Sequence, residues 1–238
     1  MKGLPESKIY EQGQFYWPYK KSLVKVLEII TSQAPKDGKL LDIMCGPGYL
    51  LGQISVKRGD LKLLGVDLDE RYIFFSKEKF SDIDFEIGNI LTWQPKQLFD
   101  VVICTGSIHH LPYEKQDLAI EKIAGMVKPA GLVIISDSHI NDYANEKERK
   151  VAAAKLGYEY LIETIRNGAP DDVVATTIDI LDNDVMMNEF KTSVKKRLLI
   201  FNKYFSNVEV IKTWPDIDSE YGDYIMVCTN NNKSNYEI

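Results

Sequence analysis

His109, His110 and His139 are the entire histidine complement of this 238-residue chain. All three fall just past the ends of two apolar runs, Val101 to Thr105 and Leu132 to Asp137. Histidine exchanges a proton more readily near neutral pH than any other side chain, so three of them gathered at one edge of a sheet point to proton transfer or to orientation of a reacting group. A lone histidine is more commonly structural. Asp137 and His139 alternate along the second run, which places them on one strand face where they are expected to meet His110; the competing reading makes Asp137 the cap of the following segment. A second chemical constellation lies upstream. The run Lys39 to Met44 (KLLDIM), which contains Asp42, breaks into Cys45-Gly46-Pro47-Gly48, and the run Leu61 to Leu68 (LKLLGVDL) carries Asp67 near its end. Glycines after a strand let the backbone turn tightly and approach a ligand without a Cβ. The next helix aims free N–H groups at that ligand, and an acid about twenty residues on accepts ribose hydroxyls. Leu68 is suited to flank a purine ring. Helix–sheet packing explains a glycine turn equally well, and Asp69 would serve as well as Asp67 for a helix cap. Turn and acid together indicate a nucleoside-containing cofactor.

The elements that must hold these residues alternate. Leu23, Val26, Leu27 and Ile30 repeat at helical spacing after Ser22, a candidate cap, and Pro35 closes the segment. Strand KLLDIM precedes a helix over Tyr49 to Val56; strand LKLLGVDL precedes a helix over Arg71 to Phe80; a brief strand is expected at Asp84 to Ile87. Val101 to Thr105, a helical stripe over Leu118 to Val127, a turn at Lys128-Pro129-Ala130-Gly131 and Leu132 to Asp137 continue the pattern. Such alternation predicts parallel strands with crossover helices on both faces. From Asn141 to Met187 it stops, and Val151, Ala154, Tyr158, Ile162 and Ile165 mark one face of a helix ended by Gly168 and Pro170. A further helix carries Phe190, Val194, Leu198, Phe201 and Phe205. Two closely spaced runs, Val208 to Trp214 and Tyr224 to Thr229, read as an antiparallel pair at one sheet edge.

Composition narrows the class. The hydrophobic fraction of 45% and charged fraction of 27% belong to a globular chain. The net charge of −6 gives no bulk electrostatic attraction for nucleic acid. Cys45, Cys104 and Cys228 are too scattered for a disulfide framework and form no CxxC pair. No apolar stretch resembles a signal peptide or a membrane span. The expectation is a cytoplasmic protein, monomer or homodimer, with no nucleic acid or membrane partner.

In order along the chain, LLDIMCGPG, LLGVDLD, EIGNI, FDVVICTGSIHHL and KIAGMVKPAGLVIIS resemble the successive motifs of class I S-adenosylmethionine-dependent methyltransferases of the small-molecule branch, from about Lys39 to Asp137. The resemblance implies an α/β, Rossmann-like seven-stranded sheet, mostly parallel, with an antiparallel C-terminal edge strand and helices on both faces. It implies S-adenosyl-L-methionine as cofactor, with Asp42, Gly46 and Gly48 at the methionine portion. Asp67 and Leu68 would then lie at ribose and adenine, Asn89 and Ile90 at the adenine edge, and the backbone of Cys104 and Thr105 at the methionine amino group. Two positions depart from the pattern. Met44 stands where the family most often has its first glycine, and Asn89 where it has an aspartate, although an amide oxygen still accepts from an amine. Against a nicotinamide enzyme, Leu51 occupies the third glycine position. Against enzymes that methylate base or amide nitrogens, Thr105-Gly106-Ser107 replaces their Asn/Asp-Pro-Pro-aromatic motif. A non-catalytic binding module on the same fold is the remaining alternative.

The reaction implied is methyl transfer to an oxygen or nitrogen of a small-molecule acceptor. His110 is the leading candidate for base or for part of a lock over the site, with His109 and His139 behind it. The metal-using catechol branch carries carboxylate-rich motifs absent here, so no metal is expected. Tyr16 and Tyr19, in the cluster Phe15, Tyr16, Trp17 and Tyr19 preceding the first helix, are expected in a lid, where aromatic faces suit a cationic group; ordinary packing accounts for the cluster equally well. Tyr10 is a further source of a hydroxyl. Five parts of one domain follow: residues 1–37 as lid and first helix, 38–140 as cofactor core, 141–188 as helical substrate cap, 189–229 as completion of the sheet and 230–238 as a flexible tail. Asp171, Asp172, Asp179, Asp182 and Asp184 of the cap would attract a cationic acceptor or form a solvated face. Met186-Met187 would offer an adaptable wall or pack in the core.

Overall fold

Short apolar segments with no polar face must be covered on both sides, and they build the centre of the molecule. The computed structural model describes residues 7–231. Its elements run α1 (Ser7–Gly13), α2 (Lys20–Gln33), β1 (Lys39–Ile43), α3 (Tyr49–Lys57), β2 (Lys62–Asp67), α4 (Glu70–Lys79), β3 (Asp84–Ile87) and β4 (Phe99–Thr105), then a 3₁₀ turn, Ile108–His110. They continue with α5 (Tyr113–Met126), β5 (Val127–His139), α6 (Glu146–Arg166), α7 (Asp171–Val185), α8 (Val194–Tyr204), β6 (Phe205–Trp214) and β7 (Gly222–Asn231). The strands form one seven-stranded sheet in the order β3-β2-β1-β4-β5-β7-β6. β1 pairs in parallel with β2 and β4, and β4 in parallel with β5. β7 inserts antiparallel between β5 and the edge strand β6. This is the Rossmann-like sheet expected from the motifs.

Period-two alternation divides the core. Leu40, Val101, Ile103 and Ile134 face Val26 and Ile30 of α2 and Leu51 and Ile54 of α3. Leu41, Val102, Cys104 and Ile135 face Ile120 and Ile123 of α5 and Phe201 of α8. Because β1, β2, β4 and β5 run the same way, their C-terminal ends, with Asp67, Thr105 and Asp137, open onto one edge.

Four details differ from the sequence expectations. Ser22 does not cap α2, which begins at Lys20; Ser22 is buried and its hydroxyl lies 2.6 Å from that of Thr213. Lys128 to Gly131 form a bulge within β5 rather than a turn before it: Val127 pairs with Phe99 and Leu132 with Val101, and the four residues between have no strand partner. Gly131 passes so close to β4 that a Cβ there would stand 2.8 Å from Asp100 O. The apolar stripe on α6 points outward, with Val151 66% and Tyr158 59% exposed. The buried face is Ala152, Ala153, Leu156 and Gly157, because small residues let α6 approach Leu181 of α7 closely. Finally, Met186 is exposed. The flexible tail expected at 230–238 lies, from 232 on, outside the described residues. No helix among the described residues is long and apolar enough to cross a membrane.

Candidate active site

The first glycine turn is built from left-handed backbone. Met44, Gly46 and Gly48 have φ of 62°, 54° and 73°. A non-glycine residue in that region costs roughly 1–2 kcal/mol, so Met44 keeps the path a glycine would take and carries strain for doing so. A Cβ on Gly46 would meet nothing within 4 Å, because its Cα faces a cavity of about 530 Å³. Gly48 has another reason to be glycine: a Cβ there would press on Phe85 and Ser76 at 3.0 Å.

Asp67 ties the end of β2 to this turn. Its Oδ2 accepts the Gly46 N–H at 2.8 Å and its Oδ1 the Asp69 N–H at 2.9 Å. Burial pushes its carboxyl above the usual range against those hydrogen bonds. Asp69, not Asp67, caps α4 by accepting the Arg71 N–H. Leu68, Asn89, Ile90 and Thr105 line the same cavity, with Leu68 60% exposed and Ile90 buried. Asn89 Oδ1 accepts the Leu91 N–H at 2.9 Å and so shapes its own loop. Asp42 and Cys104 lie beneath the surface and do not line the cavity. Asp42 Oδ1 has no hydrogen-bond partner; burial, then the nearby Asp67, push its carboxyl well up.

A second cavity, of about 190 Å³, adjoins the first. Tyr10, Gln14, Tyr19, Gly106 and His110 line both and form their common wall. Leu156, Gly157 and Tyr160 of α6, Thr177 and Ile180 of α7, and Glu189 and Lys191 beyond α7 enclose the rest. The N-terminal aromatics are fastened across it. Trp17 Nε1 donates to Thr177 Oγ1 at 2.9 Å, the Tyr19 N–H donates to the Tyr160 hydroxyl at 3.0 Å, and the Tyr19 hydroxyl donates to Ser136 O at 2.9 Å. Tyr16 lines neither cavity; its carbonyl accepts from Asn167 at 2.8 Å. Tyr10 hangs from α1 over both spaces, its hydroxyl pushed up to about 12 by burial and by Asp67 and Asp42.

The polar end of the second cavity is a chain of alternating charges. Asp137 hydrogen-bonds Nδ1 of His109, whose Nε2 lies 3.4 Å from Glu189 Oε2. Burial opposes the charged imidazole, but the Asp137 carboxylate overrides it and raises His109 to about 9. His110 Nδ1 lies 3.5 Å from Glu189 Oε1; burial and then the charge on His109 lower it to about 4, so it is neutral. Lys191 donates to Glu189 at 3.0 Å and to both oxygens of Asp184 at 2.7 and 2.8 Å. Arg197 closes the other end, 3.8 Å from Asp137 Oδ2.

Asp137 therefore meets His109 rather than His110, and it sits within β5 rather than capping a later segment. The two rings stay in contact, with centroids 4.3 Å apart, but His109 is the one whose Nδ1 reaches the Asp137 carboxylate. His139 is fully buried, with Nδ1 3.1 Å from Thr192 O and its ring against Tyr224. It lines neither cavity. Of the cap acids, Asp179 and Asp184 reach the second cavity. Gln14, Glu189 and Lys191 are the residues the sequence reading does not reach. Glu189 and Lys191 come from the segment before α8, which is held to the 3₁₀ turn by the Phe190 N–H donating to His109 O at 2.7 Å. His109, His110 and Glu189 also form the set of metal-ligating groups found among the described residues.

The raised His109 makes stability depend on pH with a definite sign. Its folded value, about 9, lies above the ordinary 6.5, so its stabilising contribution is complete below pH 6.5 and is lost as pH rises through 9. Urea unfolding at stepped pH should show the advantage of the wild type over His109→Gln shrinking by roughly 3 kcal/mol across that window. An advantage that does not change with pH would mean that His109 is uncharged in the folded chain.

Comparison with known proteins shows what these features resemble. Residues 40–131 match the family model described as a methyltransferase domain. The chain is 24% identical over 102 residues to trans-aconitate 2-methyltransferase of Variovorax paradoxus, covering 42% of this chain and 39% of that protein. It is 26% identical over 200 residues to carboxy-S-adenosyl-L-methionine synthase of Campylobacter hominis, covering 82% and 81%. Among solved structures, the N-methyltransferase NodS from Bradyrhizobium japonicum, in complex with S-adenosyl-L-homocysteine, shares the fold with a TM-score of 0.58 at 15% identity, covering 90% of this chain and 88% of that one. The chain spans well under two thirds of several curated relatives it matches, 39% and 41% of two of them.

Proposed function

The chain belongs to the class I S-adenosylmethionine-dependent methyltransferases, and from that premise we propose that it moves a methyl group from S-adenosyl-L-methionine to an oxygen or nitrogen of a small-molecule acceptor. The observation that carries this reading is the pair of adjoining cavities whose common wall includes His110, Tyr10 and Tyr19. One cavity has the chemistry of a nucleoside site. The other is smaller and ends in ionised groups.

The residues of the first cavity fit the cofactor. The open space over Gly46 is where a Cβ would intrude, and Asp42 keeps a buried oxygen without a partner. Asp67 and Leu68 would hold ribose and adenine, Asn89 and Ile90 the adenine edge, and Gly46 and Thr105 the methionine portion, while Asp42, Gly48 and Cys104, which the sequence assigned to that portion, support the turn and strand end from beneath. When bound, the cofactor supplies an electrophilic methyl carbon on a sulfonium. The chain's own part is to align, to exclude water and to take a proton. Alignment between two fixed pockets contributes on the order of 7–11 kcal/mol of the barrier in well-oriented reactions. Tyr10 of α1 and Gln14 just past its end roof both spaces, and the anchors from Trp17 and Tyr19 fix that roof to α7, α6 and β5. His110, uncharged, accepts the proton that the acceptor sheds as its oxygen or nitrogen gains the methyl. The net charge of −6 supports a small acceptor over nucleic acid.

Calorimetric titration with S-adenosyl-L-methionine and with S-adenosyl-L-homocysteine tests the reading. Saturable binding of both is expected, and no binding of either at high micromolar concentration removes it. Gly46→Ala sharpens the test. It places a methyl group in the cavity and forces a φ of 54° on an L side chain. Cofactor affinity should fall at least about tenfold, an effect separate from the roughly 1–2 kcal/mol of stability lost to backbone strain. Unchanged affinity would move the cofactor away from this turn.

A further inference from the structure

We propose that His109, His110 and Glu189 form a binding site for a divalent transition-metal ion at the wall of the second cavity. One ligand atom from each lies within 4.8 Å of the other two. The carboxylate stands 3.4 Å from His109 Nε2 and 3.5 Å from His110 Nδ1. Those spacings are long for hydrogen bonds, and without an ion they make at most weak ion-pair contacts. They match the separation of two ligands on one ion, since atoms about 2.1 Å from a tetrahedral centre lie roughly 3.4 Å apart.

The surroundings favour the same assignment. His109 spends Nδ1 on the Asp137 carboxylate, which fixes the ring and leaves Nε2 turned to the cavity; a carboxylate behind a ligating histidine is the usual support of such a ligand. Arg197 stands behind Asp137, and Lys191 keeps Glu189 ionised while its own charge is matched by Asp184. Two imidazoles and a carboxylate make an N₂O set suited to zinc, iron, cobalt or nickel rather than to magnesium or calcium. Three protein ligands leave a position open. His109, His110 and Glu189 all line the second cavity, so the open position faces the acceptor. Resting here on the proposed methyl transfer, the ion would take a hydroxyl or carboxylate oxygen of the acceptor and make a hydroxyl easier to ionise. Ligation uses the lone pair of each imidazole, so His109 Nε2 gives up its proton as the ion binds. His110 acts as the base in the metal-free chain, while the ion takes over activation of the acceptor in the metal-bound one. This reverses the sequence expectation of no metal, which rested on motifs local in the chain.

The test uses the full chain without a histidine tag, stripped with chelator, titrated with Zn²⁺ by calorimetry and with Co²⁺ by visible absorption. One equivalent should bind with a dissociation constant at or below about 10 μM and raise the unfolding midpoint. His109→Ala and the near-isosteric Glu189→Gln should each weaken binding by about 10- to 100-fold, while His139→Gln, outside the set, should leave it unchanged. No saturable binding, or equal binding by Glu189→Gln, overturns the site. Parallel titration with S-adenosyl-L-homocysteine separates the two readings: its binding without Zn²⁺ binding removes only the metal, and Zn²⁺ binding without it removes only the cofactor assignment.

Discussion

Replacing His110 with alanine should lower kcat on the order of 10²- to 10⁴-fold while leaving S-adenosyl-L-methionine affinity largely intact. His110 stands on the wall common to both cavities, whereas the groups assigned to the adenosyl portion, Asp67, Leu68 and Ile90, line the first cavity alone. Burial and the charge on His109 hold His110 near 4, so its imidazole is free to accept a proton at neutral pH. Such a base is weak towards an ordinary alcohol or amine. It is sufficient for one whose proton becomes strongly acidic as the methyl bond forms. The rate should therefore be flat from about pH 6 to 8 as far as His110 is concerned, and should fall as acid protonates it towards 4. His110→Gln, which retains bulk and hydrogen bonding but accepts no proton at this position with comparable basicity, should behave like the alanine variant. Steady-state kinetics with the true acceptor decide the matter. An unchanged kcat in His110→Ala would remove the proton-transfer role, and a rise in KM with kcat intact would reassign His110 to acceptor binding.

The two halves of this site were unequally legible in the sequence, for a physical reason. Gly46 and Asp67 are specified by local geometry, a turn after one strand and an acid at the end of the next, and parallel pairing of Ile43 with Val66 brings their ends together. The second cavity has no such local code. Glu189 and Lys191 lie on an irregular segment whose place is set by the Phe190 N–H bonded to His109 O. Nothing in a Glu-Phe-Lys triplet announces that the lysine will be buried and the glutamate largely covered. The choice between His109 and His110 as partner of Asp137 depends on how a single 3₁₀ turn is rotated. α6 misled the periodicity argument in another way. Its apolar stripe, Val151, Tyr158, Ile162 and Ile165, is exposed, and its packed face is formed largely by Ala152, Ala153 and Gly157, residues whose small size makes them weak signals of burial and good surfaces for close helix contact.

Lys191→Met should destabilise the fold by about 3–5 kcal/mol, the cost of breaking a buried ion pair from one side. Lys191 is 4% exposed and its ammonium donates three hydrogen bonds, two to Asp184 and one to Glu189. Methionine fills most of the same volume, so the loss is electrostatic and does not arise from an empty cavity. Two carboxylates then remain in a space built for one cation between them. Burial already pushes Asp184 up, so it should take up a proton first, leaving Glu189 to the histidines. Arg149, buried on α6 and donating to the Asp184 carbonyl, keeps the end of α7 in place, which confines the damage to the segment around Glu189. In urea the midpoint should fall with little change in m, and the thermal midpoint should drop by roughly 6–20 °C for a chain of this size. Adding Asp184→Asn to Lys191→Met should recover part of the loss, because an amide needs no counter-charge. Cofactor affinity should survive in both variants, since neither residue lines the first cavity. If Lys191→Met unfolds at the wild-type urea concentration, the ammonium is not the tie between α7 and the histidine pair, and the charge chain from Arg197 through Glu189 must be stabilised from the Asp137 side alone.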